Sequence, residues 1–579
     1  MKPLTYLNKY IFKYKWRIIM GVIFICASNF FGVEMPKIVK NAVNDFIENL
    51  SYTRDFNKIL FLSLKLAGIY LIFSILKGFF LFLTRQTIII VSRYIEYDLK
   101  NEIFAHYQKL SYRFYKKNST GDLMNRISED VSQVRMYLGP GLMYTINLAI
   151  LSIMAIYTML KINVSLTLLV LTPLPIMSVL IYKVSSKMNF LSKEAQKEQS
   201  IMSTIVQETF SGIRVIKAYL REVEMATKFA ASAENYKIKS MKQVRVNSLF
   251  MPTIVFLIGL STLLAIYYGG ILIYQKIITP GDIVAFIFYI NMLTWPFASV
   301  GWVTSIIQRA AASQDRINEF LLEKPEINSG DVKLEHVERI VFSDVCFSYE
   351  NEKVLKSINF ELNKGEKIGF VGNTGTGKST LLHLLMRQFD CSSGEITIND
   401  YPIKSLDINT YRSKVGVVPQ EVFLFSDTIR NNILFGVSDK ITEDEINRVT
   451  KQAHVYHNIV EFPDKFDTLL GERGVNLSGG QKQRLSIARA LIRRPELLIL
   501  DDCLSAVDTH TEDVILNSLN EINAMTIIVS HRVSSLRFVD RIYVLNEGEI
   551  EEVGTHDELM KRKGHYFNMY QEQLTKTEK

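Results

Sequence analysis

Apolar residues follow two different rules along this chain. Up to about residue 305 they come in long runs, near 17–36, 59–83, 139–160, 163–184, 250–274 and 281–304. Each run is roughly 20 residues, the length at which a helix crosses the hydrocarbon of a bilayer. A water-soluble domain needs no such series, so the pattern predicts six transmembrane helices. From Val341 onward short β runs alternate with amphipathic stretches, which is the grammar of an α/β domain.

The polar stretches between runs are informative as well. Helical periodicity continues past the second run through Arg93, Glu96 and Lys100 to about Leu110, breaks at Asn118-Ser-Thr-Gly121 and restarts at Asp122. Ser211-Gly212 interrupts a second long polar helical stretch. Structureless loops of about 50 residues are uncommon. Both stretches therefore predict helical hairpins reaching into the cytosol, each with a short cross-helix at its tip. The expected organisation is a transmembrane domain over 1–322, a linker over 323–340 marked by Lys324-Pro325-Glu326 and Ser329-Gly330, an α/β domain over 341–573 and a charged tail over 574–579.

Charge orients this layout. Lys2, Lys9, Lys13, Lys15 and Arg17 precede the first run, and the segments near 85–138 and 185–248 are rich in Lys and Arg. The connectors near 37–58, 161–163 and 275–280 carry fewer. The positive-inside rule puts the amino end, both hairpins and, after six crossings, the α/β domain in the cytosol of a cell-membrane protein. The Tyr/Phe/Lys-rich start reads as an amphipathic helix on the membrane surface. The apolar run after Arg17 is too long for a cleavable signal. The net charge of +8 is explained by these membrane flanks and by anionic lipid, so no nucleic-acid partner is called for. Cys26, Cys346, Cys391 and Cys503 have neither metal nor disulfide spacing.

The chemistry lies in the last third. A strand, Ile368-Gly-Phe-Val371, feeds Gly372, Asn373, Thr374, Gly375, Thr376, Gly377, Lys378, Ser379 and Thr380, with a helix starting near Gly377. Backbone N–H groups of such a loop and the helix amino end cradle a polyphosphate. Lys378 then reaches the terminal phosphates and Ser379 binds Mg²⁺. A second strand, Leu497-Leu-Ile-Leu-Asp501, ends in a carboxylate suited to the same metal.

With these motifs in register, the chain resembles, over essentially its whole length, a half-transporter of the ATP-binding cassette family, of the exporter kind with fused membrane and nucleotide domains. The resemblance implies ATP and Mg²⁺ as ligands and a second half-transporter as partner. It implies that Tyr349 stacks the adenine ring and that Gln420 senses the metal and touches the membrane domain. Gly471-Glu-Arg-Gly474 matches the loop that meets the cytosolic tips. Ser478, Gly479, Gly480 and Gln481 match the signature facing ATP held by the opposing chain. Ser505-Ala-Val-Asp508 matches the segment linking the two sites, so Asp508 is counted with the nucleotide residues. His531, after Thr526-Ile-Ile-Val-Ser530, matches the histidine that contacts the γ-phosphate.

Asp502 departs from the pattern. The family places Glu there to polarise the attacking water. Asp is shorter by one carbon–carbon bond, about 1.5 Å, and loss of a well-placed general base costs about 10²–10⁴-fold. Binding by Lys378, Ser379 and Asp501 is expected to survive with slow hydrolysis. That resembles the degenerate-site member of a heterodimer; a homodimer with two slow sites is the alternative. The implied activity is export of hydrophobic or amphipathic compounds across the bilayer, with lipid flipping or an ATP-gated regulator or channel as alternatives. Glu34, Lys65, Lys77 and Asn147 are the intramembrane polar suspects, with Glu34 and Lys77 as a candidate pair and snorkelling to the interface as the alternative. Phe288, Tyr289, Trp295, Pro296, Phe297 and Trp302 are a candidate aromatic cavity wall; packing and an interfacial belt are the plainer reading.

Overall fold

The computed structural model describes all residues except 1, 53–55, 351, 438–440, 506 and 578–579. The middle of Ser505–Asp508 and the end of the tail therefore lie outside the described residues. The chain forms two compact units, Met1–Gln108 with Ser119–Glu323, and Lys109–Asn118 with Lys324–Lys579.

In the first unit, six helices among the described residues are long and apolar enough to cross a membrane: Lys15–Glu48, Ile59–Tyr107, Thr120–Ile162, Val164–Ser211, Glu222–Tyr274 and Pro280–Leu322. Local chemistry sets their ends. Ser119 accepts a hydrogen bond from the Asp122 N–H at 3.3 Å, capping the third span at the predicted break. Asn163 accepts one from the Leu166 N–H at 2.9 Å, turning the third span into the fourth. At the start of the sixth span Thr279 and Asp282 form a capping box. Lys40 of the first span pairs with Asp282 at 2.6 Å. A Cβ on Gly281 would lie 2.3 Å from the Lys40 carbonyl oxygen, so this seam needs a glycine.

Two features were not legible in the apolar pattern. The second and third spans contain π-turns at Arg85–Ile89, Arg126–Asp130 and Tyr137–Gly141, each adding a residue to a helical turn. Close approach accompanies them: a Cβ on Gly21 would lie 2.5 Å from the Ile88 side chain, and one on Gly139 2.6 Å from Ser92 Oγ. The amino-terminal basic residues are also engaged. Lys9 and Tyr6 reach Glu102 of the second span at 2.6 and 2.7 Å. Lys13 and Tyr14 reach Asp98 at 2.6 and 3.0 Å.

The polar residues of the spans are arranged differently from the expected pair. Glu34 is bonded to Lys37, one turn away on its own helix, because an i,i+3 cation is nearer than one on another span. The Lys77 stem lies against Gly32, and Lys65 is exposed. Asn147 accepts a hydrogen bond from Asn29 at 3.0 Å. Tyr289 is fully buried and donates to the Val33 carbonyl at 3.0 Å, so it packs the bundle. Trp295 is exposed.

The second unit has two sheets. Strands β1 (Arg339–Tyr349), β2 (Glu352–Asn363), β4 (Ser393–Ile398) and β5 (Tyr401–Pro402) form an antiparallel sheet in the order β2-β1-β4-β5. The other sheet runs β10-β9-β3-β8-β7-β6. Its members are β3 (Lys367–Val371), β6 (Val415–Val418), β7 (Leu497–Asp501), β8 (Met525–Val529), β9 (Arg541–Asn546) and β10 (Glu549–Gly554). From β9 to β6 every pairing is parallel, and β10 adds an antiparallel edge. The strands β3, β7 and β8 are nearly continuous apolar runs because helices and the first sheet cover both faces. Their carboxyl ends lie side by side, where open parallel sheets bind ligands.

Candidate functional site: a nucleotide pocket at the carboxyl ends of the parallel strands

Strand β3 ends at Val371 and the chain turns through Gly372–Gly377 into the helix Lys378–Leu385. Three glycines make that turn possible. Gly375 and Gly377 have φ of +88° and +98°, where a side chain is strained. A Cβ on Gly372 would lie 2.3 Å from the Leu545 carbonyl oxygen. The loop's backbone N–H groups and the helix amino end thus open into a cavity of about 200 Å³. Thr374, Gly375, Gly377, Lys378, Ser379 and Thr380 line it together with Gln420, Asp501, Asp502 and His531. Val354 and Val529 complete the lining. Neither was singled out from sequence, since an apolar residue near a strand end has no chemical signature.

Lys378 is buried, and its ammonium is held by the carbonyl oxygens of Gly372 and Asn373 at 2.7 and 2.8 Å. Burial depresses its pKa to about 8, with the charges of Asp502 and Asp501 pulling the other way. Asp501 is displaced upward, chiefly by burial, while Ser379 and the cations around it oppose the shift. Ser379 donates to Asp501 Oδ1 at 3.4 Å. A serine hydroxyl beside one carboxylate, next to a phosphate cradle, fits Mg²⁺, which takes hard oxygen donors and keeps most of its shell for phosphate and water.

Three groups from separate segments converge opposite the lysine. Asp502 Oδ2 accepts from Gln420 Nε2 at 3.4 Å, and its Oδ1 accepts from the His531 N–H at 3.5 Å. Asp502 has φ of +45°, and its own N–H is fixed to the Val529 carbonyl at 2.8 Å. Tyr349 stands at the end of β1 with its hydroxyl 3.4 Å from Thr380 Oγ1. Asn373 and Thr376 shape the loop, the Thr376 hydroxyl donating to the Asn373 carbonyl at 2.9 Å.

The signature residues are elsewhere. Ser478 caps the helix Gly479–Leu491 in a capping box with Gln481. Gln481 borders an apolar crevice with Leu477 and Leu485, and none of Ser478–Gln481 lines the phosphate cavity. Asp508 caps the next helix, accepting from the Thr511 N–H at 2.9 Å.

This site on this fold defines an ATP-binding cassette protein joined to a membrane domain. Residues 18–297 match the model of the ABC transporter transmembrane region and residues 355–505 match that described as ABC transporter. The chain belongs to the ABC transporter family. It is 34% identical over 97% of its length, and 96% of the relative's, to the probable multidrug resistance ABC transporter ATP-binding/permease protein YheI of Bacillus subtilis. It is 37% identical over 82% of both chains to the multidrug resistance-like ATP-binding protein MdlA of Escherichia coli. The ATP-dependent lipid A-core flippase of Syntrophus aciditrophicus is 33% identical over 82% of this chain and 80% of its own. Among solved structures, a bacterial Atm1-family ABC exporter with ATP bound superposes with a TM-score of 0.78, covering 96% of this chain and 98% of that one at 24% identity.

Proposed function

We propose that the chain is one half of a dimeric exporter that uses ATP to move hydrophobic or amphipathic compounds of the multidrug type, with the partner supplying most of the hydrolysis. The observation that carries the reading is the composition of the phosphate cavity. Its lining brings Lys378, Ser379, Asp501, Gln420 and His531 together but has Asp at 502 and nothing from Ser478–Gln481. A second chain's signature segment would close such a cavity over bound ATP. This chain's own signature would close the partner's. Ser379, Gln420 and Asp501 would supply the protein oxygens for Mg²⁺, which would neutralise charge on the phosphates. Asp502 would hold the attacking water, and His531 would stand by the γ-phosphate. The multidrug names of YheI and MdlA favour drug-like cargo over lipid.

The coupling route in this reading runs through the two cytosolic tips. The family precedent is that one tip docks on the partner's nucleotide domain, so that closure over ATP drags the spans. Binding favours one arrangement of the spans over another, and that differential affinity is what drives the change.

ATPase assays of the chain purified alone and with the product of its genomic neighbour separate the possible assemblies. Slow turnover alone and fast turnover together is the expected result. Vigorous hydrolysis by the lone chain would reject the division of labour. Asp502→Glu should raise hydrolysis at this chain's own site by about 10²-fold or more; an unchanged rate would remove side-chain reach as the limiting factor.

A further inference from the structure

The Tyr349 ring is already covered. Lys116 Nζ lies over it, 3.9 Å from the ring centroid. Lys116 closes the short helix Tyr112–Lys117, a segment that belongs to the nucleotide-binding unit although it comes from the first cytosolic hairpin. The other end of that helix is anchored by Tyr112. Its ring stacks on His383, centroids 5.4 Å apart, and meets Phe389 edge-on at 5.8 Å. Phe389 and Phe347 in turn stand perpendicular to Tyr349, at 5.4 and 4.8 Å. These neighbours, with Thr380 at the hydroxyl, set the tyrosine ring plane. Lys116 is itself exposed. The face beneath it is therefore the one that opens to solvent, where a diffusing base would arrive.

We infer that Lys116 competes with adenine for the open face of Tyr349, so that the first cytosolic tip holds the base platform until a nucleotide base displaces the ammonium. The inference rests on the reading of Tyr349 as the adenine platform. A stacked base needs carbon contacts at about 3.5–4.0 Å across the whole ring, and an ammonium at 3.9 Å occupies the same layer. Both cannot be accommodated. A cation over an aromatic face at an exposed site is weakly bound, so adenine wins at saturation and pays a small penalty in affinity. Tyr112 stays seated on His383 and Phe389 while Lys116 leaves. The tip thereby registers the base separately from the phosphates, which meet Lys378, Gln420 and His531. A polyphosphate without a base would fill the cavity and leave the lysine in place.

The test is equilibrium binding to the full-length chain in detergent, comparing a non-hydrolysable ATP analogue with inorganic tripolyphosphate. The expected result for Lys116→Met is a two- to fivefold rise in the ratio of analogue affinity to tripolyphosphate affinity, the size of an exposed cation–π contact, about 0.5–1 kcal/mol. Lys116→Arg keeps the cation and should leave the ratio at the wild-type value. In a Tyr349→Ala background Lys116→Met should change nothing. An unchanged or lowered ratio in Lys116→Met would overturn the inference. Should Tyr349→Ala bind the analogue as tightly as the wild type does, the platform reading itself fails, and that outcome is distinct from a Tyr349→Ala defect with no effect at Lys116.

Discussion

The two cytosolic tips have similar lengths and opposite surroundings. The first, Tyr112–Lys117, has its aromatic end stacked on His383 and Phe389 and its basic end over Tyr349. The second, Ile213–Ala218, has like the first no buried residue, so the difference lies in ring contacts rather than burial. Phe210 and Tyr219 at its flanks are 71% and 74% exposed, and Val215 is 61% exposed. Neither flanking ring has an aromatic neighbour among the described residues. Apolar residues concentrated at a helix tip and left in water mark an interaction site. Of the two tips, the first alone makes aromatic contacts among the described residues. The nucleotide domain also exposes the rings of Phe423, Phe425 and Phe435, with centroids 5.2 and 4.4 Å apart in series.

The strongest way to break this contrast is to charge the second tip. Val215→Asp should cost the assembled transporter on the order of 3–5 kcal/mol of coupling, the penalty for an unpaired charge in an apolar seat. Substrate-stimulated ATPase should collapse while the melting temperature of the isolated chain stays within about a degree. A drop in the lone chain's stability would mean that the tip is packed internally. Next in size is the nucleotide site that the first tip serves. Burial pushes the Lys378 pKa down to about 8, and a bound phosphate would favour the protonated form. ATP affinity should be flat below pH 8 and fall up to tenfold per unit above it, with proton uptake approaching one near pH 9 by calorimetry. Lys378→Met should abolish that uptake. Without nucleotide in the assay, the same shift should make the domain gain stability as pH rises from about 8 towards the unfolded lysine value near 10.5. Smallest is Tyr112→Ala, which removes one partly exposed stack and should lower the thermal stability of the nucleotide domain by about 1 kcal/mol. An equal loss from Tyr219→Ala would erase the distinction between the tips.

The parts legible in the sequence are those set by neighbours in the chain. The loop from Gly372 to Thr380 could be read because strand, glycines and helix start are consecutive, and the same holds for Asp501 at the end of β7. The six spans were legible because bilayer thickness imposes a length. What failed was partner choice. Glu34 was matched with Lys77 across two helices, yet Lys37 one turn away was nearer. The carboxylates that hold Lys9 and Lys13, Glu102 and Asp98, are equally unreadable from spacing. The contact of Lys116 with Tyr349 joins segments separated in the chain by four membrane helices, and no spacing rule reports it. The π-turns are equally silent, since an extra residue in a helical turn leaves the apolar pattern almost unchanged.

The amino-terminal clasp has a bearing on biosynthesis. Tyr6 and Lys9 find a carboxylate acceptor at Glu102 and Lys13 finds one at Asp98, so this clasp cannot form until the second span has been made. The segment before the first span is thus locked only after the second span is available. Substitutions that remove Glu102 or Asp98 would free that latch.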